Sequence, residues 1–274
     1  MSKNFELLQS LSKEQELFET GADLSPLPVL STLPDLSQLP QPDTSSLLHR
    51  EIKREATERP VMLEMEETQR NEIMKFVQHV FMMPGTNGPR TIVLSGAEPG
   101  NGCSWICCRV AETLASQVAG PVCVVDANLR SPALHHNFGV GNHYGLSNAL
   151  KSAEPIRNFV CPLGQHNLWL LSCGADATES QSLVLSDPMR LRLAELRRYF
   201  EYVLVDAPAL AVGSDALALG RSADGVVLVI KANASRRESA RKAVQDLQNA
   251  GARVLGAVLN QRTFPIPRAI YAKL

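Results

Sequence analysis

Apolar runs alternate with amphipathic stretches from about residue 91 to the end of the chain. Amphipathic stretches predict helices over 103–118, 187–200 and 235–250. The apolar runs predict six strands: Thr91–Leu94, Val122–Asp126, Leu168–Leu171, Tyr202–Asp206, Val226–Ile230 and Val254–Leu259. Strands that are apolar throughout are typical of a parallel sheet covered on both faces. The pattern therefore predicts an α/β fold with a doubly wound, mainly parallel sheet.

The N-terminal part of the chain follows a different pattern. Apolar residues at helical spacing predict a short amphipathic helix over residues 1–20, which either packs on its own domain or docks onto another protein. Five prolines among Ser, Asp and Gln predict a partly extended linker over 21–47. We expect the α/β domain to span 48–265, including a leading helix within 48–82, and a short tail to cover 266–274.

Composition narrows the class of protein. The formal net charge is −1 over 274 residues, which gives no overall attraction to nucleic acid or to an anionic membrane. No apolar run approaches the roughly 18–20 residues that span a bilayer, and the first residues lack the apolar core of a signal peptide. We therefore expect a cytoplasmic protein that binds no nucleic acid.

Six cysteines occur without any C-x-x-C pair, so a disulfide framework is not expected in a reducing compartment. Cys103 and Cys107 are four residues apart, and a metal cluster built on them is an alternative to simple burial. Cys103 also stands at the predicted start of a helix. Because thiols at helix N-termini tend toward a lowered pKa, a redox-sensitive switch at Cys103 is a further hypothesis.

The stretch "GAEPGNGCSW" lies between a predicted strand and a predicted helix and is close to the phosphate-loop pattern G-x-x-x-x-G-K-[ST]. Glycines let such a loop wrap so that its amides and the helix end face a phosphate. Ser104 is placed to offer its hydroxyl to Mg²⁺. The residues predicted to bind the nucleotide here are Pro99, Gly100, Asn101, Gly102, Cys103, Ser104 and Trp105.

The loop lacks the lysine of the pattern, because Cys103 takes that position, and Glu98 adds a negative charge. Loss of one preorganised charged donor typically costs about 10²–10³ in rate. Binding should suffer less than chemistry, since the amides and Mg²⁺ remain. The alternative for this stretch alone is a glycine-rich turn without a ligand.

Two further apolar runs end in aspartate, "VCVVDANLRSP" at Asp126 and "YVLVDAPAL" at Asp206. Carboxyl ends of parallel strands meet at the edge where ligands bind. We expect Asp126 to hold a metal-bound or attacking water, and Asp206 to hold Mg²⁺ through water. Ser104, Asp126 and Asp206 are therefore the predicted metal site, and the two aspartates are the predicted catalytic residues.

From about residue 62 to 262 the chain resembles the cytoplasmic domain of bacterial tyrosine (BY) kinases, the capsule and exopolysaccharide autokinases among the ParA/MinD-type P-loop ATPases. The resemblance rests on "SGAEPGNGCSW", "VVDANLRSP", "YVLVDAPAL" and "GVVLVIKANASRRESARKAVQDLQNAGARVLGAVLN". It implies a P-loop NTPase-like fold, ATP or ADP with Mg²⁺, and a regulator of polysaccharide synthesis and export. It also implies a membrane chain-length-determinant protein as partner, and hence a location at the inner face of the cell membrane.

The resemblance implies a homo-oligomeric ring formed through an E-x-x-R-x-x-R helix, in which Ile73 here replaces the last arginine after Glu67 and Arg70. Asn128 replaces the second aspartate of the family's D-x-D motif. The family's tyrosine-rich tail is missing, and Tyr271 is the only tyrosine near the end, either a phosphosite or an ordinary tail residue.

Several positions are assigned by the resemblance or by their place in the pattern. Asn260 follows the last strand, where related ATPases contact the base. Arg262 either closes over the nucleotide or lies on the surface. Asp215 matches a family acidic position or begins a helix. Lys231 and Arg109 are alternative sources of a substitute charge.

Three functions follow. The first is a nucleotide-binding regulator of exopolysaccharide or capsule production with weak or absent phosphotransfer, in effect a pseudoenzyme. The second is an active tyrosine autokinase or ATPase with a substitute cation. The third is a nucleotide-free scaffold.

Overall fold

The computed structural model describes residues 67–82, 88–164, 167–175 and 178–261. The predicted N-terminal helix, the proline-rich linker and the C-terminal tail lie outside the described residues, as do Arg262 and Tyr271. The division of the chain into these segments therefore stays a prediction.

The described residues form helices and strands in alternation. The helices are α1 (Glu67–Phe81), α2 (Cys103–Gln117), α3 (Leu134–Asn137), α4 (Leu146–Lys151), α5 (Asp187–Tyr199), α6 (Asp215–Ser222) and α7 (Arg237–Asn249). The strands are β1 (Thr91–Gly96), β2 (Val122–Asp126), β3 (Cys161–Pro162), β4 (Leu168–Leu171), β5 (Tyr202–Ala207), β6 (Gly225–Lys231) and β7 (Val254–Asn260). Two 3₁₀ segments cover Ile156–Phe159 and Thr178–Leu185.

The strands form one sheet in the order β3-β4-β2-β5-β1-β6-β7. Every neighbouring pair is parallel except β3 and β4. The predicted α/β fold with a mainly parallel sheet is confirmed. The two-residue strand β3 was not predicted, because it is too short to show periodicity, and its Pro162 is tolerated at a sheet edge.

Alternate residues of the central strands enter two apolar layers. Ile92 and Leu94 of β1 pack in the layer that contains α1 and α2, whereas Val93 packs in the layer that contains α5 and α6. Both layers exclude water from strand side chains, and β1 and β2 are buried along their whole length. This two-sided burial is the physical reason that the strands read as continuous apolar runs.

A polar network joins the strands at the opposite edge from the glycine-rich loop. The Asp224 carboxylate accepts hydrogen bonds from the backbone N–H groups of Arg90 and Thr91, both at 2.8 Å, and from Arg197 at 2.7 Å. Burial acts to raise the pKa of Asp224, but these amides and the charge of Arg197 together lower it. Asp224 therefore stabilises the start of β1 in its ionised form.

Among the described residues, no helix combines the length and the apolar character that crossing a bilayer requires.

Candidate functional site

The loop between β1 and α2 has the backbone of a phosphate loop. Gly100 and Gly102 both have φ of 78°, in the left-handed region that favours glycine. Gly102 directly precedes α2 and has no side-chain cap. A Cβ atom at Gly102 would lie 2.3 Å from Nδ2 of Asn260, so a side chain there would displace the Asn260 amide at the end of β7.

The amides of this loop are available to a ligand. No described residue accepts a hydrogen bond from the N–H groups of residues 100–104, and the first such bond toward the helix runs from Ile106 N–H to the Gly102 oxygen at 3.0 Å. Unpaired N–H groups at the start of a 15-residue helix create positive potential. The predicted stretch from Gly100 to Ser104 therefore has the geometry of an anion cradle.

The two predicted acidic residues lie side by side. Asp126 and Asp206 are register partners at the carboxyl ends of the adjacent parallel strands β2 and β5, and both are fully buried. Oδ2 of Asp126 accepts hydrogen bonds from the N–H groups of Ala133 at 3.1 Å and Leu134 at 3.0 Å, whereas Oδ1 has no partner among the described residues. Burial raises the pKa of Asp126 to about 6, against the effect of these amides.

Asp206 is the less satisfied of the two. Neither of its carboxylate oxygens has a hydrogen-bond partner of ordinary distance and angle among the described residues. Burial, followed by the charge of Asp126, raises the pKa of Asp206 to about 7. The Ser104 hydroxyl and the Cys103 thiol act in the opposite direction and lower it, although neither is placed for a regular hydrogen bond. Three buried carboxylate oxygens without partners, beside a hydroxyl, fit the oxygen ligands that Mg²⁺ prefers.

The Cys103 thiol does not behave as a helix-end cysteine. Burial, and then the charge of Asp206, raises the pKa of Cys103 well above its usual value. The hypothesis of a lowered pKa is therefore wrong, because desolvation and a neighbouring carboxylate outweigh the helix dipole. The hypothesis of a redox-sensitive switch at Cys103 was based on that lowered pKa, and the structure gives it no support.

Two other thiols lie close to this position. Burial raises the pKa values of Cys107 and Cys108 as well. The described residues contain no group of three or more histidine, cysteine, aspartate or glutamate side chains suited to a metal ion. A metal cluster on Cys103 and Cys107 therefore finds no support, and the six cysteines are free thiols.

Arg109 is not placed at the phosphate loop. Its guanidinium pairs with Glu112 at 2.8 Å and lies 6.0 Å from the ring centroid of Trp105. The side chain is 3% exposed and is held on α2 by these two neighbours. The positive charge of Arg109 is therefore paired with Glu112, and it does not contribute to the pKa of Asp206.

The other candidates lie at the same edge of the sheet. Lys231 ends β6 and is half-buried. Asp215 is the first residue of α6, after the N-cap Ser214, and accepts a hydrogen bond from Nε of Arg130 at 3.0 Å. Asp215 thus joins the segment after β2 to the segment after β5 instead of capping its helix.

Asn260 and the loop residue Asn101 are in contact. Nδ2 of Asn260 donates to the Asn101 carbonyl oxygen at 2.9 Å, and the Asn101 side chain is itself bonded to β6 and to Ser235. Ser235 carried no signal in the sequence, because its contact depends on β6 lying next to β1. That Asn260 contacts a base stays a prediction.

No family profile matches the sequence. The tyrosine-protein kinase YwqD of Bacillus subtilis is 30% identical over 171 residues, which cover 62% of this chain and 72% of YwqD. This chain belongs to the bacterial tyrosine-protein kinase family. The resemblance stated from the sequence is thereby confirmed.

Solved structures agree with membership of this kinase family. The kinase domain of VpsO is 26% identical, with a TM-score of 0.64, over 72% of this chain and 97% of that domain. The septum site-determining protein MinD of Pyrococcus horikoshii, solved with Mg-ADP, has a TM-score of 0.54 at 22% identity and covers 67% of this chain and 76% of that chain. The likeness to MinD is one of fold: an α/β P-loop NTPase-like sheet with its helices.

Proposed function

We propose that this BY-kinase relative binds a Mg²⁺ nucleotide, ATP or ADP, and regulates exopolysaccharide or capsule synthesis and export with weak or no phosphotransfer. One observation carries the proposal. A glycine-rich loop with unpaired amides adjoins two buried carboxylates that have unpartnered oxygens, and a neutral thiol stands where the loop pattern has a lysine.

The phosphates would lie against the N–H groups of residues 100–104, where no described residue competes for these donors. Trp105 and Pro99 flank this cradle. Ser104, Asp126 and Asp206 would hold the metal, whose role when bound is to neutralise phosphate charge. The structure of MinD with Mg-ADP, on the same fold, supports this choice of ligand for this chain.

The proposal of weak phosphotransfer is based on the missing positive charge at the phosphate loop. The Cys103 thiol is neutral at pH 7, since its pKa is raised by burial and by Asp206. No lysine or arginine among the described residues forms an ion pair with Asp126 or Asp206. Loss of a preorganised cation costs about 10²–10³ in rate. Asn128, which replaces an aspartate of the family motif, removes a further group able to accept a proton.

The cellular part of the proposal rests on family membership. Tyrosine kinases of this family suggest a regulator in polysaccharide production, with a membrane chain-length-determinant protein as partner and a position at the inner face of the membrane through it. Assembly into a homo-oligomer belongs to the same proposal. The net charge of −1 gives no reason to expect a nucleic acid partner.

The experiment compares purified wild-type protein with Cys103→Lys. Calorimetric titration with Mg·ATP should show binding that a chelator of Mg²⁺ weakens, and labelled ATP should leave almost no phosphotyrosine on the wild type. Cys103→Lys should increase phosphotransfer by at least about 10². Gln117→Lys is the matched control, because it adds the same charge at the exposed C-terminal end of the same helix.

Each alternative has its own result. Absence of heat with Mg·ATP and with Mg·ADP would reject the proposal in favour of a nucleotide-free scaffold. Strong phosphotyrosine on the wild type, at Tyr271 or elsewhere, would reject it in favour of an active autokinase with a substitute cation. Equal rates for Cys103→Lys and wild type would show that the missing ammonium is not the cause of the defect.

A further inference from the structure

The Asn260 amide is occupied within the protein at both of its ends. Nδ2 donates to the Asn101 carbonyl oxygen at 2.9 Å, and Oδ1 accepts from the N–H of Gln261 at 2.8 Å. Asn260 is the last residue of β7, and its partner in the loop lies 159 residues earlier in the chain. The side chain therefore ties the end of the sheet to the backbone of the phosphate loop.

The side chain of Asn101 makes a second connection. It is 4% exposed, donates from Nδ2 to the Val229 carbonyl oxygen at 3.0 Å, and accepts at Oδ1 from the Ser235 hydroxyl at 3.4 Å. The Ser235 hydroxyl accepts in turn from the N–H of Lys231 at 3.1 Å. The loop is thus held by its backbone to β7 and by its side chain to β6.

Gly102 permits this arrangement. A Cβ atom there would lie 2.3 Å from Nδ2 of Asn260, so any larger residue would displace the Asn260 amide or the loop. The contact is made at Asn101, between the two left-handed glycines and two residues before the start of α2. It is therefore placed to fix the direction in which the amides of the cradle point.

We propose that Asn260 and Asn101 act as positioning residues that hold the phosphate loop in its binding shape before a ligand arrives, and that Asn260 serves the phosphates more than the base. This inference rests on the proposed function and deepens it. A loop without a lysine depends on its amides for affinity, and preorganised donors lose less entropy on binding than mobile ones. The clamp, Asn101 with Asn260, supplies that preorganisation.

Two ligands separate the two roles of Asn260. Mg·ATP carries a base, whereas inorganic triphosphate with Mg²⁺ carries only phosphates. Asn260→Ala should weaken the binding of both ligands by the same factor, about tenfold, which corresponds to loss of one partly buried hydrogen bond. Asn260→Asp keeps the acceptor for Gln261 but loses the donor to Asn101, and it should weaken both ligands at least as much.

Asn101→Ala breaks the second connection and should also weaken both ligands equally. Asn249→Ala, an exposed asparagine at the end of α7, is the control and should leave both affinities unchanged. If Asn260→Ala weakens Mg·ATP but not triphosphate, Asn260 contacts the base and the inference is overturned. The inference is equally overturned if Asn260→Ala changes neither affinity.

Amide hydrogen exchange tests the clamp without any ligand. Asn260→Ala should speed exchange in the peptide that covers residues 97–106 at least several-fold, through the hydrogen-bonded amides of Ala97 and Ile106. It should leave the peptides of β1 and β5 as in the wild type. Unchanged exchange in the loop would overturn the inference. Faster exchange in β1 and β5 would indicate general unfolding of the Asn260→Ala variant. The milder Ser235→Ala should then still speed exchange in the loop alone. Unchanged loop exchange in Ser235→Ala would overturn the inference. If the wild type binds neither ligand, the proposed function fails, and the exchange result still decides the clamp.

Discussion

Replacing Asp206 with asparagine should stabilise the ligand-free protein at alkaline pH, although it removes a predicted metal ligand. Burial and the neighbouring Asp126 raise the pKa of Asp206 from 3.8 to about 7. Between these two values the unfolded chain releases the proton and the folded chain retains it. The free energy of unfolding therefore falls as the pH rises through this window and is constant above about pH 7.

The size of the effect follows from the two pKa values. A difference of about three pH units, at ~1.36 kcal/mol for each, amounts to about 4 kcal/mol at pH 8. About 3 kcal/mol of this develops between pH 5 and pH 8, because at pH 5 the unfolded chain has already released most of its proton. Asparagine has nearly the same shape and carries no charge, so the variant escapes this cost.

The assay is urea denaturation with a chelator of divalent cations, at pH 5 and at pH 8, for wild type and Asp206→Asn. Asp187→Asn serves as the control, because Asp187 is an aspartate with a 79% exposed side chain. The variant at Asp206 should gain about 3 kcal/mol more at pH 8 than at pH 5, and the control should show almost no such difference. Equal gains at the two pH values, or a loss at pH 8, would refute the reasoning that Asp206 is buried beside Asp126 without a partner for its charge.

Three further results are expected. Gly102→Ala should weaken Mg·ATP binding in calorimetry by at least about tenfold, because alanine is strained at a φ of 78° and its Cβ would displace the Asn260 amide. Gly251→Ala, with φ of 76° and open space, should cost about 1 kcal/mol of stability and leave binding intact. Full binding by Gly102→Ala would contradict the loop geometry. Asp224→Asn should lower the free energy of unfolding by about 2–3 kcal/mol at pH 7. The loss should shrink progressively as the pH falls below 3.8 toward the lowered pKa of folded Asp224, because only the ionised form is stabilised. A loss independent of pH in urea titrations would argue against this. Iodoacetamide, followed by mass spectrometry, should label Cys103 slowly at pH 7.5 in the folded protein and quickly in urea, because burial raises the pKa of the folded thiol. Fast labelling of the folded protein would show that the thiol is not desolvated.

Local chemistry made much of the fold predictable. The strands are buried on both faces, so their apolar runs marked β1, β2 and β5 to within two residues at each end. Glycines with left-handed backbone marked the loop. Asp126 and Asp206 were expected at one edge because parallel strands end together, and the structure places them as register partners.

Contacts between distant parts of the chain decided the rest. The helix end alone favours a lowered pKa for Cys103, but the strand order brings Asp206 and apolar neighbours against the thiol and raises it. Arg109 is the exception, because the neighbours that hold its charge, Trp105 and Glu112, lie within four residues of it on the same helix. The pairing of Asn260 with Asn101 likewise exists only because β6 and β7 extend the sheet beside β1. Sequence periodicity reports which face of an element is buried, whereas the charges and hydrogen bonds that a buried side chain meets depend on which elements become neighbours in space.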